Sequence, residues 1–311
     1  MLSLKDLGYL VALKDLGHFG KAAQACHVSQ PTLSGQIKKL QATLGVQLLE
    51  SGTKKVIFTH VGLEMAHRAK QLIVQANEME ACARAAKKPL TGLLRLAVIP
   101  SLAPYLMAKV GEQVASDLPD LNIELHELET QEILRKLKNG DVDVGIMVLT
   151  QPQAGLRQLS LWQEPLWLGV NQTHPWADKA HVTRQELAGA KLILLKEGHC
   201  LADQAAALCQ LKNLSSAFRG ASLETLRYMI CAGKGATLVP QLTKDAWQSN
   251  GDDKMIYIPI AAPTQTREIG FVARSGSAYW PCVEALEACM NQVLPSTHKD
   301  AEVVPLVVQA L

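Results

Sequence analysis

No stretch of this 311-residue chain reaches the roughly 18–20 consecutive apolar residues that a membrane-spanning helix needs. The opening MLSLKDLGYLVALKDLG lacks a signal-peptide core as well, because Lys5, Asp6, Lys14 and Asp15 interrupt it. It reads as an amphipathic helix, and the cytoplasm is the expected location, with no membrane partner. Charge is scarce, at 19% of residues with a net of +2, against 48% apolar residues. That composition excludes disorder and fits a globular chain of two or three domains. The seven cysteines are an odd number, which is poorly suited to a secreted disulfide framework. Most are expected to be reduced and buried, and any disulfide to be regulatory. His199–Cys200 has no second His/Cys cluster at metal-ligand spacing, so no metal or other cofactor is expected.

What little charge there is gathers at the front. Residues 1–58 hold seven lysines (Lys5, Lys14, Lys21, Lys38, Lys39, Lys54 and Lys55) against Asp6, Asp15 and Glu50. Such a surplus is compatible with phosphate binding. Leu4, Leu7, Leu10, Val11 and Leu13 recur at helical spacing, and a short second helix, Gly20–Cys26, carries Ala22, Ala23 and Ala25. Ser29 then offers an N-cap and Pro31 a first-turn residue. Leu33, Ile37, Leu40 and Leu44 form an apolar stripe, and Gly45 a helix stop. The other face presents Thr32, Ser34, Gln36, Lys38 and Lys39, groups suited to phosphates and base edges in a major groove. Periodicity alone also allows a plain three-helix bundle with a solvated face. SGTKKVIFT predicts a β-wing with Lys54 and Lys55 near its tip.

The string AAQACHVSQPTLSGQIKKLQATLGVQLLE, followed by KKVIFTHVG, closely resembles the winged helix-turn-helix of LysR-type transcriptional regulators. The resemblance implies double-stranded promoter DNA as a partner, with Ser29, Gln30, Pro31, Thr32, Ser34, Gln36, Lys38, Lys39, Lys54 and Lys55 as contacting residues. The family commonly has an arginine where Ser51 stands, so the resemblance implies a wing whose phosphate grip is either weaker or carried by Lys54 and Lys55.

From Val61 to about Ala86 there is no proline, and Met65, Ala69, Leu72, Ala76, Met79, Ala83 and Ala86 fall at alternating four- and three-residue steps. That heptad seam predicts a helix that dimerises, with packing on its own regulatory domain as the alternative. Lys87, Lys88, Pro89 and Gly92 mark a hinge. The predicted domains are residues 1–58, the linker helix 59–90, and a regulatory domain 91–311. In the last, strands and helices alternate (LLRLAVI, NIELHEL, VDVGIMV, LWLGV, KLILL, SAFRG, ATLVP, REIGFVAR), which predicts a parallel sheet. Crossovers near Leu161–Pro165 and Arg267–Gly270 divide it into subdomain I, 91–161 with 268–311, and subdomain II, 162–267. The fold class is therefore α/β with a winged helix-turn-helix, a linker helix and a two-subdomain domain resembling periplasmic binding proteins. Such folds bind ligands in the cleft between halves. The tail 301–311 has no assigned role.

LLKEGHCLADQAAALC sets a strand directly before a helix with Cys200 at its start. A helix N-terminus favours the thiolate, so the spacing predicts a lowered thiol pKa, with His199 assisting as a charge or donor and Asp203 capping. Cys209 lies nine residues on, about 13.5 Å along a helix and on roughly the opposite face. A disulfide needs Cα atoms within about 7 Å, so bridging requires the helix to refold. Spacing alone leaves Cys209 equally readable as an ordinary buried apolar residue.

This segment, with VSQPTLSGQIKKL, VIPSLAPYL, HPWA, SLETLRYM and REIGFVAR, resembles the peroxide-sensing members of the LysR-type family over essentially the whole chain. The resemblance implies that hydrogen peroxide oxidises Cys200 to a sulfenic acid, that Cys209 resolves it as a disulfide, and that a cellular dithiol resets it. It implies a peroxide pocket of Ser101, Thr130, His199, Asp203 and Arg267, with serine at 101 where threonine is usual. It further implies a homodimer or homotetramer that activates antioxidant genes through RNA polymerase, and no enzymatic role. Thr130 as a helix cap and Arg267 as a surface ion-pair partner are the alternative readings. A metabolite-sensing regulator with Cys200 incidental and a thiol peroxidase are the competing functions.

Overall fold

The computed structural model describes the chain apart from residues 1, 51–54, 89, 189, 191, 210–218, 250, 252–253, 262–263, 295–302 and 306–311. It divides into two units, up to Lys87 and from Lys88 onward.

The first unit is helical. α1 (Leu4–Leu16) starts at Ser3, whose hydroxyl accepts from the Asp6 N–H, and stops at Gly17 in the left-handed region. α2 (Phe19–Ala25) is capped by the His18 ring, whose Nδ1 accepts from the Gly20 N–H at 3.0 Å. α3 (Gln30–Leu44) follows the predicted pattern: Ser29 caps it, Pro31 lies in its first turn, and Gly45 at φ 70° ends it. Leu10, Leu13, Ala22, Ala23, Leu33, Ile37, Leu40 and Leu48 make the core, while Ala25 faces outward. After α3, Leu49 and Phe58 form an antiparallel bridge, and the Glu50 N–H donates to the Ile57 carbonyl at 2.9 Å. This is the root of the predicted wing; Ser51 and Lys54 lie outside the described residues. Gln41 fixes that root to α3, its Oε1 accepting from the Leu48 and Leu49 N–H groups at 2.8 and 3.2 Å.

α4 (His60–Lys87) packs along α1 within the first unit. Met65 and Ala69 of the expected seam join the core of the unit, whereas Leu72 (47%) and Met79 (72%) remain exposed. The seam is thus divided between its own chain and solvent. Gly62 sets the approach of α4 to the wing root: a Cβ there would lie 2.0 Å from the Leu48 carbonyl oxygen.

The second unit alternates. Its elements are β1 (Gly92–Val98), α5 (Ala103–Asp117), β2 (Leu121–Glu127), α6 (Thr130–Asn139), β3 (Val144–Val148), β4 (Leu156–Asn171) and α7 (Arg184–Ala188). There follow β5 (Leu194–Leu195), α8 (Cys200–Cys209), β6 (Arg219–Gly220), α9 (Leu223–Cys231), β7 (Thr237–Pro240) and α10 (Gln241–Ser249). β8 (Met255–Pro259), β9 (Thr264–Arg274), α11 (Trp280–Val293) and β10 (Val303–Pro305) complete it.

The main sheet runs β2-β1-β3-β9-β4-β7, with β8 on β4 and β10 on β9, while β5 and β6 form a small ladder. It is mixed, not parallel as expected. β1, β2 and β3 are parallel, but β9 runs antiparallel to β3 and β4, and β4 antiparallel to β7 and β8. The reason is the pair of long strands, β4 and β9, that pass between the halves in opposite directions. A bulge at Leu161 lets β4 change its sidedness on the way. LWLGV is therefore the end of a 16-residue strand, whereas KLILL shrinks to the two residues of β5. Residues 303–305 of the tail pair with Thr264–Thr266.

Gly62→Ala should destabilise the first unit by about 1–3 kcal/mol, because the wing root or α4 must shift to admit the methyl. Urea unfolding of the full chain, followed by signals from the first unit, checks this.

Candidate functional site

The second unit's polar centre is built on β4 and β9. Glu164 and Arg267 are cross-strand partners, and both are almost wholly buried (1% and 0% exposed). Arg267 Nε donates to Glu164 Oε2 at 2.8 Å, and Glu164 Oε1 accepts the Leu242 N–H at 2.9 Å. Two unpaired charges at this depth would each carry a large desolvation cost, and the pairing offsets it. The alternative of Arg267 as a surface partner is thereby set aside.

The rest of the guanidinium points at Ser101, in the loop between β1 and α5. Nη1 donates to Ser101 Oγ at 2.8 Å and Nη2 to the Ser101 carbonyl at 3.3 Å. Arginine has only donors, so Ser101 Oγ must accept here, and its single proton is free to go elsewhere. That hydroxyl and the Leu201 backbone N–H both act on the Cys200 thiol in the direction that favours its anion. Arg267 thus holds Ser101, and both lower the pKa of the neighbouring thiol.

Cys200 is the first residue of α8, as the sequence predicts. The expected fall in its pKa does not follow. The sulfur lies deep although part of the residue still meets solvent, and burial pushes the thiol above its ordinary value. Arg267, the Ser101 hydrogen bond and the Leu201 N–H pull the other way, and Asp203 adds to the rise. Desolvation outweighs the helix N-terminus, and the resting group is the thiol.

His199 is buried. Its Nε2 has no hydrogen-bond partner among the described residues and lies 3.8 Å from Glu129 Oε1. Burial lowers its pKa from the ordinary 6.5, Glu129 raises it and Lys196 lowers it. Near neutrality it is an uncharged imidazole, so the expected charge assistance is absent. Thr130 begins α6 but does not cap it: Glu129 occupies the N-cap position, and the Thr130 hydroxyl is buried without a partner among the described residues. Asp203 is exposed on the first turn of α8 and stands apart from the buried groups, its pKa raised by burial and by Glu197. Gln204, one turn after Cys200, is wholly buried with neither amide atom paired among the described residues. The sequence reading misses Glu129, Glu164 and Gln204. Only the helical spacing of Gln204 from Cys200 offers a signal, since the carboxylates come from distant strands and loops.

The backbone of α8 is helical through Cys209, whose side chain lies outside the described residues. Leu201, Ala202, Ala205 and Leu208 bury the inner face of α8. The described residues contain no cluster able to hold a metal ion.

On α3, Ser29, Gln30, Pro31, Thr32, Lys38 and Lys39 are exposed and Ser34 and Gln36 half-buried; Lys55, beyond the wing, is exposed as well. Ser29 and Thr32 are engaged in the cap, their hydroxyls 2.7 Å apart. Lys54 again lies outside the described residues.

A helical unit with a polar face on α3, joined to a two-lobed α/β unit, defines a DNA-binding regulator with a sensor domain. The family profile for the bacterial regulatory helix-turn-helix protein, lysR family, matches residues 4–63, and that for the LysR substrate binding domain matches residues 87–295. The chain belongs to the LysR family of transcriptional regulators. Within it, the chain is similar to the DNA-binding transcriptional dual regulator OxyR of Escherichia coli K12, at 38% identity over 306 residues, covering 96% of this chain and all of that one. The solved full-length OxyR of Pseudomonas aeruginosa superposes with a TM-score of 0.77 at 30% identity, over 94% of this chain and 96% of that one. A cysteine variant of Corynebacterium glutamicum OxyR with hydrogen peroxide bound gives 0.63 at 31%, over 94% and 92%.

Ser101→Ala removes the donor to Cys200 and should move the thiol's titration further upward. The pH at which iodoacetamide alkylation of Cys200 reaches half its maximal rate should therefore rise relative to the parent protein. An unchanged midpoint would show that the hydroxyl does not act on the sulfur.

Proposed function

We propose that this chain is a hydrogen peroxide-sensing transcriptional activator in which Cys200 is the reacting thiol and Cys209 the resolving one. The observation that carries the reading is the buried Arg267–Ser101 pair, both members of which favour the anion of a thiol at one end of a helix whose other end is a second cysteine. The likeness to OxyR proteins over nearly the whole chain supports it.

In the first step Cys200 gives up its proton and its sulfur attacks one peroxide oxygen, forming S–O as O–O breaks. The departing hydroxide takes a proton and leaves as water, and the sulfur, oxidised by two electrons, becomes a sulfenic acid. Arg267 and the Ser101 hydroxyl stabilise the anionic sulfur on the way, where the low dielectric strengthens both. Peroxide needs donors and acceptors at both oxygens. The Thr130 hydroxyl, the His199 ring and the Gln204 amide are among the buried groups without a partner among the described residues. Asp203 and His199 shape the pocket from the entrance and the lead-in. Cys209 then attacks the oxidised sulfur, forming S–S and releasing the oxygen as water, and a cellular dithiol reverses the bond by exchange.

With α8 standing, the two ends are about 13.5 Å apart along the axis, so the bridge requires α8 to unwind. That converts a two-electron oxidation into a conformational change. The exposed Leu72 and Met79 of α4 are suited to a second copy, giving a homodimer or homotetramer that spaces two α3 helices on promoter DNA in the cytoplasm and contacts RNA polymerase.

Treating the reduced protein with one equivalent of hydrogen peroxide, blocking free thiols and mapping linkages by mass spectrometry should give a Cys200–Cys209 disulfide that Cys200→Ser abolishes. Both cysteines remaining alkylatable would overturn the reading and favour a metabolite ligand. Replacing Lys38 and Lys39 by alanine should weaken binding to all DNA sequences alike. The slope of log affinity against log salt should flatten by about 1 for each phosphate that a lysine no longer neutralises.

A further inference from the structure

Glu129 occupies the N-cap position of α6, where a side chain ordinarily turns onto its own helix, yet it makes no such hydrogen bond. Its carboxylate instead crosses the cleft to the three residues that lead into Cys200. Oε1 lies 3.0 Å from Lys196 Nζ and 3.8 Å from His199 Nε2. Oε2 fills the space beside Gly198, where a Cβ would come within 2.2 Å of it. Gly198 also holds φ at 97°, so both its backbone and its missing side chain are needed for this approach. Glu129 belongs to the half built on β1, β2 and β3, and Lys196–His199 to the other half. The tie is separate from the Arg267–Ser101 chain, and no metal or ligand is needed to explain it.

We propose that Glu129 is a positioning residue for Cys200, tying the Lys196–His199 lead-in across the cleft so that the first turn of α8 is held against Ser101. This rests on Cys200 as the reacting thiol. A hydrogen bond of the Ser101–Cys200 kind weakens steeply with misalignment, so slack in the lead-in is felt directly at the sulfur. Lys196 closes the tie from the solvent side. The charged groups that face His199 are Glu129 across the cleft and Lys196 on its own segment.

The test uses the full chain in a Cys209→Ser background, so that only the first oxidation is read. Glu129→Gln keeps the shape beside Gly198 but loses the charge. Lys196→Gln breaks the same tie from a side chain that is more than half exposed, which protects the fold. Dimedone trapping of the sulfenic acid should be slowed about tenfold in both variants, with thermal midpoints close to the parent's. Imidazole NMR should meanwhile show the His199 midpoint falling in Glu129→Gln and rising in Lys196→Gln, because the two groups act on that ring with opposite sign.

Parental oxidation rates in both variants would overturn the proposal. So would rates that diverge along with the His199 midpoints, since that pattern reports charge on the ring and not a tie. Iodoacetamide alkylation of Cys200 separates this from the peroxide reading. A parent thiol inert to peroxide, whose alkylation still changes in the same direction in both variants, retains the tie and removes the sensor chemistry. Should Glu129→Gln fail to fold, Lys196→Gln decides on the same readouts.

Discussion

The buried ion pair of Glu164 with Arg267 is the constraint on which the second unit depends. It joins the two long strands where they pass between the halves, and it aims the remaining guanidinium donors at Ser101. A charge with no exposure tolerates little freedom, because any rotation leaves donors unpaired in a medium that cannot solvate them. The pair thus fixes the direction of an electric field as well as a fold, and Cys200 sits at its end. Burial holds so deep a thiol above its ordinary pKa, while Arg267 and Ser101 beside it favour the anion. That combination suits a sensor, which must stay silent until its oxidant reaches the pocket.

Among the ties that cross the cleft from the first half to the second, Ser101 accepts from Arg267, Glu129 reaches Lys196, and Tyr105 donates to Glu224, which also accepts from Trp247 at 2.6 Å. Burial and Glu224 keep the Tyr105 phenol protonated, so that donation holds throughout the ordinary pH range. All three first-half residues come from the ends of β1 and β2 or from the helix turns that follow them, the usual place for ligand contacts in open α/β sheets. α8 is therefore held at its first turn by the opposite half, while its body rests on Leu201, Ala202, Ala205 and Leu208. Unwinding it sets a modest apolar face and one anchored end against a covalent bond.

How much of this is legible in the sequence depends on whether a feature is local. The first three helices, the Ser29 cap and the Gly45 stop are readable because caps and stops act over a few residues. The position of Cys200 at the head of α8 is readable for the same reason. The direction of its pKa is not. The helix N-terminus is visible in sequence, whereas the burial that outweighs it comes from residues far along the chain. The sheet reads as parallel because alternation reports crossovers but not the return of β9 beside β3. The roles of Glu129 and Glu164 are invisible, since their partners Lys196 and Arg267 lie far along the chain. β8 escapes assignment because MIYIP, partly buried at the edge of the sheet, is a short run with little to mark it.

The bulge at Leu161 has a consequence for which lengths of chain this architecture admits. Side chains on a strand alternate faces, so adding or deleting a single residue reverses every later one. Between the bulge and Glu164 lie only Trp162 and Gln163. One insertion there would turn the carboxylate outward and leave Arg267 buried alone, whereas the same insertion in the loop after β3 would be absorbed at the surface. Length variation is thus confined to the connections, and the two crossing strands act as a ruler that cannot be recut.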